Sequence, residues 1–270
     1  MEIEPLVTIV IPTVNRAKCV GRAIASALNQ TYQNLDIIVS DNGSSDETTK
    51  VLRQFHDSRI RHFRHDATIP SVDHANFLVE AARGEYFLGL SDDDFLEADF
   101  VRRAIARYLT EPDVVLTYSR CFVHYRDQRT LSAPAPERES GFEFVEAYLS
   151  GARDICWCAC ILRTSDVREA GPMPACRIFG DMFYWTKVVF RGVIAFVPEP
   201  LSHYVYYDPV TMNTSHSSSI ASWIQDLQHF DAILLEGYRS SGNSAESIDR
   251  LIGLARRSTA DKAANQFVWL

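Results

Sequence analysis

The 270 residues contain no apolar run approaching the roughly 20 needed to cross a bilayer. The N-terminus, Met1-Glu2-Ile3-Glu4-Pro5, places acids where a secretory leader would have a basic segment. Positive charge is not in excess: 27 Lys and Arg face 35 Asp and Glu, a net charge of −8. That balance argues against a nucleic-acid partner, although a nucleotide can still be held by local donors or a bridging cation. No strand-like segment is followed by Gly-x-Gly-x-x-Gly or a Walker A sequence, so standard dinucleotide and P-loop sites lose their main support. Paired cysteines at zinc-ribbon spacing are also missing. Cys156-Trp157-Cys158-Ala159-Cys160 alternates instead, which on a strand would turn all three thiols to one face as small buried hydrophobes. With 46% hydrophobic residues, disorder is excluded too. The expectation is a cytoplasmic globular protein.

Short apolar segments alternate with helical periodicities. Leu6 to Ile11 reads as a buried strand stopped by Pro12, and Val20, Ile24, Ala27 and Leu28 follow at helical spacing. Leu35 to Val39 is a second strand, and Ser44 with Glu47 suggests a capping box for a helix through Val51 and Phe55. Ile60 to Phe63 is a third strand, Ala75 to Ala82 a helix, and Tyr86 to Leu90 a fourth strand. This alternation predicts βαβ units and an α/β fold with a mostly parallel sheet flanked by helices.

Ligands of such sheets lie beyond the carboxyl ends of the strands. Pro12 to Arg16, Asp41 to Ser44 and Ser91 to Asp94 each follow a strand directly, so three polar segments converge on one edge.

Beyond Asp94 the pattern predicts a helix over Phe100 to Leu109 and strands over 114–118, 121–125 and 155–162. A helix over 182–190 and a strand over 193–197 ended by Pro198 and Pro200 follow, and from Ile220 the chain reads as helical.

Ser91-Asp92-Asp93-Asp94 crowds three carboxylates after a strand, which is unfavourable unless a cation or protons neutralise them. Two readings stand: a hard divalent cation shared with phosphates, or a solvated turn capping the next helix. An EF-hand is excluded, because Glu97 and Arg103 occupy its required Gly and Glu positions. Asp41 can accept a hydrogen bond from a base or ribose, or make a simple turn. Arg16 can face a diphosphate, or solvent.

Three stretches, Val7 to Arg16, Ile38 to Asp46 and Gly84 to Asp94, resemble the family 2 glycosyltransferases, as do Gly180-Asp181 with Trp185 and Val197-Pro198-Glu199-Pro200-Leu201. Arg177-Ile178 before Gly180 is similar to the spore-coat polysaccharide branch of that family. The resemblance covers about residues 5–210. It implies a GT-A fold over 1–219, with a nucleotide-sugar half (1–118), a smaller acceptor half (119–219) and a C-terminal helical extension over 220–270. It also implies an inverting transfer from a nucleoside-diphosphate sugar to an acceptor hydroxyl, in surface polysaccharide or glycan synthesis.

By position, the resemblance places Pro12, Val14 and Arg16 against the nucleotide and Asp41 against the base, with UDP or dTDP favoured. Asp92 falls near the ribose or sugar, Asp93 and Asp94 at a Mn²⁺ or Mg²⁺ ion, and Asp181 at the general base. Without the resemblance, the ordinary reading of Asp181 is a helix N-cap before Met182. The acceptor is a sugar or glycolipid, and peripheral membrane contact is compatible with the sequence. The competing expectation is a non-catalytic nucleotide-sugar or carbohydrate-binding protein on the same fold. His216 stands in a Ser-rich stretch, where it can approach a phosphate or simply face solvent. Where relatives carry a basic residue before the acidic strand end, Pro70 and Ser71 stand here.

Overall fold

Strands β1 (Val7–Thr13) and β2 (Leu35–Asp41) are buried along almost their entire length. Their continuous β-branched runs suit central strands covered on both faces. The computed structural model describes residues 4–153, 155–174, 182–207, 220–240, 244, 246–254 and 256–257.

β1 pairs in parallel with β2 and with β4 (Tyr86–Gly89), and β2 in parallel with β3 (Ile60–Arg64). The connections are helices α1 (Val20–Leu28), α2 (Thr48–Leu52) and α3 (Ser71–Ala81). After β5 (Phe95–Leu96) and α4 (Phe100–Thr110), the long β6 (Val114–Tyr125) hairpins into β7 (Gln128–Leu131). Then come β8 (Arg138–Ser140), α5 (Gly141–Leu149), β9 (Cys160–Arg163), α6 (Thr164–Glu169), α7 (Met182–Val188), β10 (Val193–Tyr207) and α8 (Ile220–Ser240). The strands form one sheet in the order β3-β2-β1-β4-β9-β6-β10-β5, with β7 on β6 and β8 on β10. β9 runs antiparallel to both β4 and β6, so β6 and its parallel neighbour β10 point the same way as β1 to β4. The carboxyl ends of all these parallel strands therefore share one edge.

Two apolar layers cover the sheet. One holds Val20, Ile24 and Ala27 of α1 with Phe100, Val101 and Ile105 of α4. The other holds Leu78 of α3, Phe144 of α5 and Trp185 of α7, joined by Leu234, Tyr238 and Leu251 from the C-terminal part of the chain. Among the described residues, no helix is long and apolar enough to cross a membrane.

Several local expectations are corrected. β1 runs through Pro12, which pairs in register with Ser40. β4 contacts β1 only as far as Val10, so Pro12 lies where β1 has lost one neighbour and a missing N–H is tolerated. β6 is one strand rather than two. β10 likewise continues past Pro198 and Pro200, because a shift in pairing with β6 between Val197 and Pro200 accommodates them. The Ser44/Glu47 capping box does not form; α2 starts after Glu47 with no side-chain cap, and Ser44 is used elsewhere. A capping box does form at Ser140 and Glu143, at the start of α5. The alternating cysteines do not lie on one strand face. Residues 157–159 form a 3₁₀ turn, and Cys158 joins the α1 layer while Cys160 joins the α7 layer. Both thiols are buried, as the packing reading requires.

Candidate functional site at the carboxyl edge of the sheet

The loops after β1 and β2 are fastened to each other. Asn42 N–H donates to the Thr13 carbonyl at 2.8 Å, and Asn15 N–H to Ser44 Oγ at 2.8 Å. Asn15 Oδ1 in turn accepts from Ser45 N–H at 2.8 Å. Asn15 adopts a left-handed φ of 53°, which its short polar side chain tolerates. Gly43, at φ 73°, approaches the Ala67–Thr68 backbone so closely that a Cβ would lie 2.6 Å from it. The third loop joins through Leu90 N–H, which donates to the Val10 carbonyl at 2.9 Å. Polar side chains thus stand on a rigid edge rather than on free loops.

Asp41 is buried and heavily bonded. Its Oδ1 accepts from Ser44 N–H at 2.8 Å and its Oδ2 from Thr49 Oγ at 2.9 Å, and Arg64 at the end of β3 forms an ion pair with Oδ2. Burial works to raise its pKa, but the Ser44 and Thr49 bonds and the Arg64 charge outweigh it, and the pKa falls below the usual value. Asp41 is a fixed carboxylate. Arg64 and Thr49 were not among the sequence-predicted site residues. The strand-end rule that selected Asp41 applies equally to Arg64.

Arg16 stands over the acidic loop. Its Nε is 3.7 Å from Asp92 Oδ1 and its Nη1 is 3.6 Å from Asp93 Oδ2. Pro12 and Val14, just before it in the chain, are half-buried. Burial pushes Asp92 up to about 7 against the Arg16 charge. Asp94 is buried deeper and pushed to about 8, by burial first and Asp93 second. Its Oδ1 accepts from Val205 N–H of β10 at 2.8 Å. The three aspartates therefore differ: Asp94 is an interior anchor, Asp92 lines the wall, and Asp93 has the most open side chain of an ion-paired aspartate in this loop, at 23% exposure.

Hard carboxylate oxygens crowded against one guanidinium fit a hard divalent cation at Asp93, with Asp92 beside it. Among the described residues, no three His, Cys, Asp or Glu side chains form a ready cage. Such a cation would take the rest of its shell from phosphates and water, as Mg²⁺ commonly does.

Asp181 and His216 lie outside the described residues, as do Arg177, Ile178 and Gly180. Trp185, four residues past Asp181, is buried edge-on against Phe144 and Tyr148 and belongs to the core. Trp157 lies over Gly89 and stacks with Tyr184 at 6.2 Å.

A model of the family described as "Glycosyl transferase family 2" matches residues 8–171. Among curated relatives, the chain is 34% identical to chondroitin synthase of Escherichia coli over 118 residues, which is 43% of this chain and 17% of that protein. It is 30% identical to the E. coli UDP-Glc:alpha-D-GlcNAc-diphosphoundecaprenol beta-1,3-glucosyltransferase WfaP over 124 residues, 42% of this chain and 49% of that one. The matched region thus spans less than half the length of either relative. Among solved structures, S. aureus TarS residues 1–349 superposes with a TM-score of 0.70 at 13% identity, covering 93% of this chain and 71% of that one. TarS is also solved with UDP-GlcNAc. The mannosyltransferase PcManGT from Pyrobaculum calidifontis, solved with GDP-Man and Mn²⁺, superposes at 0.61 and 15% identity, over 99% of this chain and 79% of that one. These likenesses establish the GT-A fold.

Proposed function

The chain belongs to glycosyl transferase family 2, and from that premise we propose that it moves a sugar from a nucleoside-diphosphate sugar to an acceptor hydroxyl with inversion. The observation supporting this most is the convergence of Asp41, Arg16, Asp92 and Asp93 on one strand edge, each on a loop pinned to its neighbour. In this reading Asp41 and its bonded partner Arg64 meet the base, and Asp92 meets the ribose or sugar. Arg16 and the Asp93 side hold the diphosphate, while Asp94 anchors the acidic loop to β10. UDP or dTDP is the favoured nucleotide. UDP-GlcNAc bound to TarS and the UDP-Glc in the name of WfaP support uridine. The acceptor is a sugar hydroxyl of a glycan or lipid-linked precursor of surface polysaccharide.

Asp93 would hold a Mn²⁺ or Mg²⁺ ion, whose positive charge would help the diphosphate leave. Asp181 takes the proton of the acceptor hydroxyl as that oxygen bonds to the anomeric carbon from the face opposite the nucleotide. The nucleoside diphosphate departs with the electron pair of the broken bond, so a single displacement inverts the centre. General-base assistance of this kind contributes about 10² to 10⁴ in rate.

The test is nucleotide release from UDP-, dTDP- and GDP-sugars, with Mn²⁺ and a panel of glycoside acceptors. Release that depends on both donor and acceptor supports the reading. Tight nucleotide-sugar binding with no release from any donor replaces it with a non-catalytic binding role.

A further inference from the structure

We propose that Arg16 holds the place of the divalent cation in the empty enzyme, so that nucleotide must draw it away before metal binds tightly. The proposal rests on the nucleotide-sugar reading above and deepens it. The guanidinium contacts two carboxylates of the acidic loop at once, from two different nitrogens, at 3.7 and 3.6 Å. Both separations exceed hydrogen-bond length, so these are charge contacts rather than a locked bidentate pair. The backbone of Arg16 is fixed: its N–H donates to Thr48 Oγ at 2.8 Å, and its carbonyl accepts from Val20 N–H at 3.1 Å. Leaving Asp92 and Asp93 thus breaks charge contacts and no short hydrogen bond to either carboxylate, while the loop backbone stays in place.

Charge decides the direction of that move. Arg16 is the cation ion-paired to both carboxylates, while Arg22 reaches this turn at the Asp93 backbone carbonyl, so two carboxylates share one paired guanidinium and a divalent cation would match their charge better. A guanidinium and a divalent ion on the same two oxygens repel, and each weakens the other. A diphosphate offers Arg16 a bidentate partner and offers the cation two more hard oxygens. Binding of nucleotide therefore frees the carboxylates, and by linkage the bound cation strengthens nucleotide binding by the same factor. The consequence is ordered loading: the cation enters with the nucleotide rather than ahead of it.

The experiment measures Mn²⁺ binding by the loss of its free-ion paramagnetic resonance signal, at mildly alkaline pH, with and without UDP. It compares the full chain with Arg16→Gln and Arg16→Lys, and urea midpoints confirm that each variant is folded. Mn²⁺ alone is expected to bind Arg16→Gln at least about tenfold more tightly than the parent, with Arg16→Lys close to the parent. The tightening of Mn²⁺ by UDP should shrink by a similar factor in Arg16→Gln. If Mn²⁺ alone binds Arg16→Gln no better than the parent, the placeholder role is overturned. A parent that binds UDP with Mn²⁺ while showing that result loses only this proposal. A folded parent that binds neither UDP nor Mn²⁺ loses the nucleotide-sugar reading as well.

Discussion

The guanidinium of Arg22 donates to the backbone carbonyl of Asp93 across 2.7 Å, so α1 holds the acidic turn by its main chain. The same guanidinium lies 4.4 Å from the centre of the Phe95 ring. Phe95 stacks on His203 at 4.0 Å, His203 on Phe122 at 4.8 Å, and Arg129 covers Phe122 at 4.5 Å. Three stacked rings with a guanidinium over each end thus brace the Asp93 turn against β10 and the β6–β7 hairpin. Glu97 bonds His203 Nε2 at 2.8 Å and His124 bonds its Nδ1 at 2.9 Å, fixing the central ring.

Removing this brace should cost stability and site geometry together. Arg22→Ala loses one hydrogen bond and one cation–π contact, about 1–2 kcal/mol in sum. Urea unfolding measures that loss, and nucleotide titration should show weaker metal-dependent binding. An unchanged affinity would mean that the Asp93 turn holds its shape without α1.

Gly89 has no room for a side chain. A Cβ there would lie 1.9 Å from Trp157 Nε1, so Gly89→Ala must displace the indole. The expected loss is about 1–3 kcal/mol, read as a lower thermal midpoint. Trp157 adjoins Cys158, whose thiol donates to the carbonyl of His203 at 3.8 Å, in the wall that braces the acidic turn, so nucleotide binding should weaken as well.

His74 sets a pH dependence. It is buried with Nε2 at 2.8 Å from Ser40 Oγ and its ring edge-on to His65 at 5.2 Å. Burial first, and His65 second, hold its pKa down to about 4, with Asp41 opposing. A histidine depressed in the folded state is protonated first in the unfolded state. Its penalty is absent above about pH 6.5 and grows as pH falls toward 4. Asp92 and Asp94, raised to about 7 and 8, act in the opposite sense: their penalty appears as pH rises. The difference between parent and His74→Gln isolates the histidine. Acidification from pH 7 to pH 5 should destabilise the parent by about 1–2 kcal/mol more than the variant. Parallel urea midpoints across that range would contradict it.

Asp181→Asn should keep donor binding and lose at least about a hundredfold in turnover. Calorimetry measures the first quantity and nucleotide release the second. Unimpaired turnover in a folded variant removes Asp181 from the base role.

The nucleotide half was legible because its signals are local. Leu6 to Ile11 and Leu35 to Val39 are short apolar, β-branched runs of the kind buried strands use, and each ends in a polar turn that the parallel rule sends to one edge. Proline misled where the partner strand, not the residue, decides. Pro12 survives because β4 has already ended, and Pro198 and Pro200 because β10 is out of step with β6 there. The cysteines misled because a turn at 157–159 breaks the period of two. Arg22 left no mark at all, since a basic residue on an amphipathic helix reads as a solvated charge. Only the packed structure brings it to Asp93.

The most direct measurement is a calorimetric titration of the parent and of Asp93→Asn with UDP, dTDP and GDP, each with and without Mn²⁺. The nucleotide-sugar reading predicts that the parent binds UDP or dTDP more tightly with Mn²⁺. In Asp93→Asn the metal dependence should collapse while some metal-free affinity remains through Asp41 and Arg16. Absence of binding to any of the three nucleotides by a folded parent would contradict that reading at its root.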